Sequence, residues 1–310
     1  MKLTKLFSLF FSIMLSMSVF AQLSEQHYRI YSVKLAKEVT IDEIVNDMKT
    51  HDVVFFGEEH NDSVTHYLEA LLLEKLFSTY GSNITLSMEM FDRDVQTVMD
   101  EYLMGSIREK NFKKDARVWS NYINYRPMVE FAKSNKLNVV CANAAGRYSN
   151  LAARMGQKGL MELPDASKAF FAPLPYDTAS GKYYEKLVEL TNHDPSTVSD
   201  TAKKVTSPAA MGGFNLIMGQ SLWDATMAYS IASYLKKNKK QKVMQVNGRF
   251  HSDEKFAAVT QLNNYNPKLK SLVISSTSDL SFPVIDWSQY TNLGDYIIVT
   301  DPSIPKTYEE

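Results

Sequence analysis

The chain is poor in cysteine and carries almost no net charge. A single cysteine, Cys141, occurs among its 310 residues, so no disulfide can form within the chain and a packed core must hold the fold. Cys141 lies in the apolar run 137–142, which favours a buried free thiol over a nucleophile. The formal net charge of −1 lacks the basic excess of nucleic-acid-binding proteins, so no nucleic-acid partner is expected.

Two sequence patterns are also absent. The zinc-protease pattern His-Glu-x-x-His does not occur, and His60 and His66 are six residues apart, so they would not share one face of a helix. No internal repeat and no low-complexity segment is present. Residues 22–310 suffice for one large domain or two small ones, and we expect one α/β domain with a well-buried core.

The first 21 residues have the features of an export signal. Lys2 and Lys5 precede an apolar run, and Val19 and Ala21 are small residues at the positions that a signal peptidase reads. We predict cleavage after Ala21 and a mature protein, residues 22–310, that is periplasmic or secreted. A membrane anchor is the alternative, but the run is short of the ~20 residues that a span needs. No cysteine lies near Ala21, so no lipid attachment is expected.

After this segment, predicted strands alternate with predicted helices. Short apolar runs are typical of strands covered on both faces, and helical spacing of apolar residues predicts the helices. The predicted strands are 53–57, 84–90, 137–142, 242–246, 271–275 and 296–299. The predicted helices are 64–76, 92–104, one with Pro127 in its first turn, and 214–235. This alternation predicts an α/β fold, a mainly parallel sheet with helices on both faces.

Residues 157–213 interrupt the alternation. They contain five of the ten prolines, together with residues such as Phe170, Phe171 and Leu187 that are too apolar for a solvated tether. We therefore predict an inserted, mostly helical cap, with helices over 181–191 and 197–204.

Polar residues follow four of the predicted strands. The first strand runs into Gly57-Glu58-Glu59-His60, the second ends at Glu89, Asn143 follows the third, and Gly248 and His251 follow the fourth. Ligands of such sheets bind beyond the carboxyl ends of the strands. We therefore predict one shared polar site built from Glu58, His60, Glu89 and His251.

The residues alone leave the chemistry of this site open. Glu58, His60, Glu89 and His251 suit a divalent metal such as zinc or manganese, with one position left for water. Equally, Glu–His pairs would act as base and acid without a metal. Taken singly, each residue also has a simpler explanation, such as a loop histidine or a pairing of Glu89 with Arg126.

Further residues are predicted to support the site. Gln220 and Asp224 lie four residues apart on one face of the long helix. A carboxylate on that face would orient His251 or Arg126, within a supporting layer that also includes Asn143. The alternative is a polar pair at the solvent edge.

Several motifs occur in a fixed order along the chain. They are Gly57-Glu58-Glu59-His60 with His66, Met88-Glu89-Met90-Phe91, residues 219–228, and Asn247-Gly248-Arg249-Phe250-His251. Their order and spacing resemble the ChaN-like family, a bacterial haem-binding and iron-uptake group of the Tiki superfamily. Residues 184–188 with His193 also resemble the cap segment of that family, and the resemblance covers roughly residues 45–265.

The resemblance implies haem binding at the outer surface or in the periplasm, sometimes by a dimer that encloses haem, with a tyrosine as iron ligand. Phenolate suits ferric iron. The candidate ligands in the cap are Tyr176, Tyr183, Tyr184 and His193, and Tyr184 is favoured. A homodimer and an outer-membrane haem receptor would be the protein partners.

The leading hypothesis is therefore an exported haem-binding protein of iron or haem acquisition. The alternative is a metal-dependent hydrolase of peptides or esters that uses Glu58, His60, Glu89 and His251, because the wider superfamily includes such enzymes. The chain departs from the family pattern in lacking a lipoprotein cysteine and in having Phe250 where a second glycine is usual.

Overall fold

The computed structural model describes residues 23–193 and 215–308, and of residues 190–193 only the backbone. The strands in these ranges are β1 Tyr28–Ser32, β2 Lys37–Val39, β3 Val53–Glu58, β4 Ile84–Asp92, β5 Val139–Asn143, β6 Lys242–Gly248, β7 Ser271–Ser278 and β8 Tyr296–Thr300. The α-helices are α1 Ile41–Asp47, α2 Ser63–Tyr80, α3 Gln96–Leu103, α4 Glu109–Asp115, α5 Tyr122–Ser134, α6 Gly146–Met161, α7 Asp165–Lys168, α8 Gly181–His193, α9 Leu216–Lys237 and α10 Ala257–Tyr265.

The strands form one sheet in the order β2-β1-β8-β7-β3-β6-β4-β5. The six strands from β8 to β5 are mutually parallel, whereas β1 pairs antiparallel with both β2 and β8. The predicted mainly parallel sheet is therefore confirmed. The antiparallel edge of β1 and β2 was not predicted.

Helices cover both faces of the sheet, as predicted. Val54 and Phe56 of β3 belong to the core that includes residues of α2 and α5, whereas Val53 and Phe55 pack with residues of α9 and α10. Because successive side chains of a strand point to opposite faces, a strand with helices on both sides must be apolar throughout. Cys141 of β5 is a buried free thiol, as predicted, and burial raises its pKa well above the usual value.

The predicted cap contains helices where the structure describes it, with a non-helical stretch over 169–180. α6 enters the cap with a break at Gly156, where φ is 62°. α7 and α8 follow, and α8 contains the helix predicted over 181–191. Tyr183 and Leu187 of α8 pack with Ile217 of α9 and Ala257 of α10. The helix predicted over 197–204 lies outside the described residues.

The prediction that Pro127 lies in the first turn of its helix is wrong. α5 begins at Tyr122, and Pro127 is therefore in its interior. Proline leaves one backbone carbonyl in the preceding turn without its helical donor. That carbonyl belongs to Ile123, and both residues are exposed, so water can satisfy it. No helix within the described ranges is both long enough and apolar enough to span a membrane.

Candidate functional site

Three neighbouring strands bring the predicted polar residues to one edge of the sheet. β6 lies between β3 and β4, so the carboxyl ends of these strands are adjacent. In the parallel register, Glu58 of β3 is opposite Gly248 of β6. Glu89 lies where the register between β4 and β5 shifts. The site therefore occupies the position at which α/β sheets bind ligands.

Gly248 allows two functional side chains to approach the backbone. A Cβ atom at this position would lie 2.8 Å from Nε2 of His60 and 3.7 Å from Oε2 of Glu89. The φ angle of Gly248 is −53°, so the glycine is required by close approach and not by an unusual turn. A side chain at this position would displace His60 from the strand end.

The first group of side chains, the Glu58 cluster, comprises Glu58, His60, His66, Glu69 and Tyr125. The Tyr125 hydroxyl and Nδ1–H of His60 both donate to Oε1 of Glu58, each at 2.7 Å. Nε2–H of His66 donates to the carbonyl oxygen of His60 at 3.0 Å. Nδ1 of His66 lies 3.2 Å from Oε2 of Glu58 and 3.2 Å from Oε2 of Glu69. The ring of His60 is 31% exposed, so it alone opens the cluster to solvent.

The two glutamates of this cluster have opposite pKa shifts. Burial favours the neutral acid, but the hydrogen bonds and charges of His60 and His66 hold the pKa of Glu58 well below its usual range. Burial and the nearby Glu58 carboxylate raise the pKa of Glu69 well above its usual range. Burial would lower the pKa of His66, yet Glu58 and Glu69 outweigh it and raise that pKa well above 6.5. Protons alone would therefore leave Glu58 ionised, His66 positive and Glu69 neutral.

The second group, the His251 cluster, comprises Glu89, Tyr183, Asp224 and His251. Nδ1–H of His251 donates to Oδ1 of Asp224 at 2.6 Å, and Nε2 of the ring lies 3.4 Å from Oε1 of Glu89. The Tyr183 hydroxyl donates to Oδ2 of Asp224 at 2.6 Å, and the backbone N–H of Gly248 donates to Oε2 of Glu89 at 2.7 Å. Three of the four carboxylate oxygens therefore accept a hydrogen bond, and the fourth, Oε1 of Glu89, is in ion-pair contact with His251.

The pKa shifts of the His251 cluster follow from these pairings. Burial would lower the pKa of His251, but the carboxylates of Glu89 and Asp224 outweigh it and raise that pKa well above 6.5. Burial would raise the pKa of Glu89, but His251 holds it below the usual value. Burial raises the pKa of Asp224 despite the same imidazole. The cluster thus favours an imidazolium held between two acidic side chains.

The candidate group of metal ligands in the structure differs from the predicted set. Within the described ranges, the His, Cys, Asp and Glu side chains whose ligand atoms lie within 4.8 Å of one another are Glu58, His66 and Glu69. Of the predicted set, only Glu58 belongs to that group. Nδ1 of His60 pairs with Glu58, and Glu89 and His251 pair with each other and with Gly248 and Asp224.

The predicted supporting residues lie in different surroundings. Asp224 is buried against His251, which excludes a polar pair at the solvent edge. The prediction for Arg126 is wrong, because its guanidinium donates to Glu109 at 2.6 Å and 3.0 Å at the surface of the protein. Asn143 is buried, and its side-chain oxygen accepts from the next backbone N–H at 2.9 Å. Gln220 is half-buried on α9.

The cap tyrosines differ in exposure. Tyr183 is 8% exposed and Tyr176 is 5% exposed, whereas Tyr184 is 38% exposed. Burial and Asp224 raise the pKa of Tyr183, and burial raises the pKa of Tyr176. The backbone of His193 ends α8, but its side chain lies outside the described residues.

A cavity of about 400 Å³ lies beside the His251 cluster, where Tyr183 and Asp224 form part of its wall. Ligand pockets span ~300–1,000 Å³, so this cavity is at the small end of the range. The wall includes Ser180, Ser221 and Gln261 together with Phe256 and Ala257, so polar and apolar groups share it about equally. The size of the cavity suits a small molecule better than a porphyrin.

Three residues of the Glu58 cluster, His66, Glu69 and Tyr125, were not among the predicted site residues. Glu69 interrupts the apolar run of α2 and lies three residues after His66, and an acid in an apolar run is the signal that identified Glu89. Tyr125 gives no comparable signal, because a buried tyrosine is common in helices of a core. His60 lies before α2, whereas His66 lies within it. The six-residue spacing that would put them on different faces of one helix therefore does not keep them apart.

The fold and the two clusters define an α/β protein with histidine–carboxylate chemistry at the carboxyl ends of parallel strands. The chain belongs to the family described as haem-binding uptake, Tiki superfamily, ChaN, whose model matches residues 44–262. No curated protein sequence matches the chain.

One solved structure shows the same fold, and two others are less similar. The structure reported for cofacial haem binding to ChaN of Campylobacter jejuni is 14% identical and superposes with a TM-score of 0.66, covering 89% of this chain and 98% of that one. A point mutant of the erythromycin esterase EreC, in its open conformation, is 12% identical with a TM-score of 0.47, covering 89% of this chain and 83% of that one. The type III effector HopBA1 is 13% identical with a TM-score of 0.45, covering 84% and 93%. The last two scores carry no functional implication.

Proposed function

We propose that this protein binds haem outside the cytoplasm and serves haem or iron acquisition. The observation that carries the proposal is the family match over residues 44–262, which includes both histidine clusters and most of the cap described above. Export rests on the N-terminal pattern of Lys2, Lys5 and Ala21. Export predicts that the protein recovered from its source cells begins at Gln22. Detection of an intact Met1 terminus by mass spectrometry would contradict export.

Tyr184 is the proposed iron ligand. When bound, haem supplies a ferric iron that accepts an oxygen ligand, and phenolate is an established one. The Tyr183 hydroxyl already donates to Asp224, so its deprotonation would place an anion against a carboxylate. Tyr176 is buried in the core of the cap. Tyr184 alone among the three is open enough for a planar ligand to reach its oxygen.

The proposed haem position is on the outer surface of α8 and not in the cavity beside Tyr183. The cavity is at the small end of the range for ligand pockets, whereas a porphyrin ring is large. Cofacial haem binding is reported for the Campylobacter jejuni protein. The same arrangement here would place two haems between two copies of this chain, each copy contributing Tyr184, and a surface ligand would suit transfer to a receptor.

The test is an absorbance titration of the full chain with ferric haem. We expect saturable binding with the charge-transfer signature of a phenolate ligand. Y184F should abolish that signature and weaken binding by at least about tenfold, which corresponds to about 1.4 kcal/mol.

Y183F is the matched control, because it removes the hydroxyl of the adjacent tyrosine. It should keep the phenolate signature of the wild type. An unchanged spectrum in Y184F would eliminate this ligand, and the absence of saturable binding in the wild type would overturn the haem proposal itself.

A hydrolase is the second candidate, favoured by the geometry of His60. Nδ1–H of His60 donates to Glu58, which leaves Nε2 as the basic nitrogen of a ring that is 31% exposed. A carboxylate that orients an accessible imidazole is the arrangement of a general base. Turnover of nitrophenyl esters or chromogenic peptides that is lost in H60Q but kept in H27Q, a histidine near the N-terminal end, would support it. Equal activity in both variants would exclude it.

A further inference from the structure

The Glu58 cluster contains carboxylate oxygens that its protein contacts do not satisfy. Oε2 of Glu58 and Oε1 of Glu69 are buried and have no hydrogen-bond partner among the described residues. Oε2 of Glu58 lies 3.2 Å from Nδ1 of His66, but not in hydrogen-bonding geometry. Glu58 is 1% exposed and Glu69 is 0% exposed, so bulk water does not compensate them. Buried carboxylates without partners are costly unless a proton or a cation lies between them.

The orientation of His66 directs a lone pair into this space. The carbonyl oxygen of His60 can only accept a hydrogen bond, so Nε2 of His66 carries the proton of the 3.0 Å contact. In a neutral ring, Nδ1 is then the unprotonated nitrogen. It faces Oε2 of Glu58 and Oε2 of Glu69, both at 3.2 Å. With the ring neutral, three electron-rich atoms point toward one another inside the protein, whereas in the protonated ring Nδ1–H donates to Oε2 of Glu69.

We propose that Glu58, His66 and Glu69 form a buried site for one divalent transition-metal ion. Their ligand atoms lie within 4.8 Å of one another, which is close enough to share an ion. Two carboxylates and a neutral imidazole carry a charge of −2, which a divalent ion neutralises. The mixed oxygen and nitrogen donors, without a thiolate, suit zinc or manganese.

The surroundings have the features of a metal site. The Nε2–H of a metal-ligating histidine almost always donates to a carbonyl or carboxylate, as that of His66 does. The Tyr125 hydroxyl and His60 both donate to Oε1 of Glu58, which leaves its Oε2 for the ion. Oε1 of Glu69 is the remaining unpartnered oxygen and gives that residue a second donor atom.

The ion would position His60 and would not itself touch a substrate. Glu58 connects the site to the ring of His60, and His66 connects it to the backbone of the same residue. The three ligands are buried, which is typical of a structural ion and not of an open catalytic one. The inference is independent of haem binding, because Tyr184 is in a different part of the chain.

The test is zinc binding by untagged full chain that has been treated with EDTA and dialysed. Zinc alone is the probe, and magnesium is the comparison ion because it binds imidazole poorly. We expect one zinc per chain by mass spectrometry of metal content, and a melting temperature that rises by roughly 5 °C when zinc is at ~100 times its Kd. Magnesium should change neither value.

Glu69→Gln keeps the shape of the side chain and removes its charge. It should reduce zinc affinity by at least about tenfold, whereas Glu89→Gln, in the His251 cluster, should keep the wild-type affinity. Circular dichroism checks that both variants fold. If E69Q does not fold, X-ray absorption spectroscopy of the zinc-loaded wild type identifies the zinc ligands instead. The expected coordination shell is one imidazole with oxygen ligands.

Two results would overturn the proposal. One is a wild type that holds no stoichiometric zinc and melts at the same temperature with and without it, since the cluster would then be held by protons. The other is zinc that binds equally to the wild type and to folded E69Q, which would assign it to surface histidines. Haem binding retained under either result would show that this failure is separate from the proposed function.

Discussion

Two histidines of this protein lie between pairs of buried carboxylates, and the two settings differ in how completely the carboxylates are satisfied. His251 lies between Glu89 and Asp224, and none of their oxygens is a buried atom without a hydrogen-bond partner. His66 lies between Glu58 and Glu69, which together have two unpartnered oxygens. The same residue types therefore form a self-sufficient ion network in one place and an incomplete one in the other.

The source of the difference is the neighbouring backbone and hydroxyl donors. In the His251 cluster, the Gly248 N–H and the Tyr183 hydroxyl occupy the oxygens that the imidazole does not reach. In the Glu58 cluster, both external donors converge on the same oxygen, Oε1 of Glu58. A buried acid therefore does not by itself indicate a cation site. The placement of the hydrogen-bond donors around its oxygens decides whether a cation is needed.

Removing the imidazole of the complete network should have the largest effect. His251→Ala leaves Glu89 and Asp224 buried without their cation, and we expect a loss of about 3–5 kcal/mol in the free energy of unfolding. His66→Ala, measured without metal, should lower the free energy of unfolding by less, because a protonated Glu69 can donate to Glu58. Urea unfolding of both variants gives the comparison, and a larger loss in H66A would contradict it.

The effect of Glu69→Gln on stability should depend on zinc. Without zinc, the variant removes one of two adjacent carboxylates, and its free energy of unfolding should match the wild type within about 0.5 kcal/mol. With zinc at ~100 times the wild-type Kd, the wild type gains about 2.7 kcal/mol, whereas a variant of tenfold weaker affinity gains only about 1.4 kcal/mol. Denaturant titrations with and without zinc measure this difference, and an equal gain in both proteins is the contrary result.

Two buried cap tyrosines should respond differently to loss of the hydroxyl. Y183F removes a donor from Asp224, and the unpaired carboxylate oxygen should cost about 1–3 kcal/mol. Y176F removes a hydroxyl that has no partner among the described residues, so it should be neutral or slightly stabilising. Thermal unfolding of the two variants gives both values, and equal losses would argue against the Tyr183–Asp224 contact.

The pH dependence of stability should report the imidazolium of His251. Its pKa is raised in the folded state, because Glu89 and Asp224 outweigh burial. The stabilisation is therefore complete below the unfolded pKa of about 6.5 and is lost as the pH rises through the folded value. The difference in unfolding free energy between the wild type and H251Q should narrow as the pH rises above about 6.5. A difference that stays constant with pH would show that the ring is neutral.

The parallel part of the fold was predictable because its strands are covered on both faces. β3 is buried throughout, so its sequence is a continuous apolar run with polar residues only at its end. β1 and β2 are an edge pair in which β1 alternates buried and half-buried residues and β2 is mostly exposed. β1 depends on pairing with β8 from the other end of the chain, and no local pattern records that contact.

The candidate site was predictable in location but not in its pairings. Strand ends identified Glu58, Glu89 and His251 from a general property of parallel sheets. Partner choice depends on side-chain distances across the fold, which placed Arg126 with Glu109 and Glu69 with His66. The sequence therefore predicted where the site lies, and the structure supplies its pairings, with His60 of one cluster and Glu89 of the other both close to Gly248.

The most direct test of the difference between the Glu58 and His251 clusters is anomalous X-ray diffraction from zinc-loaded crystals, recorded above and below the zinc absorption edge. We expect one strong peak between Glu58, His66 and Glu69, and none between Glu89 and His251. A peak at His60, Glu89 and His251, or no peak within the protein, would contradict it.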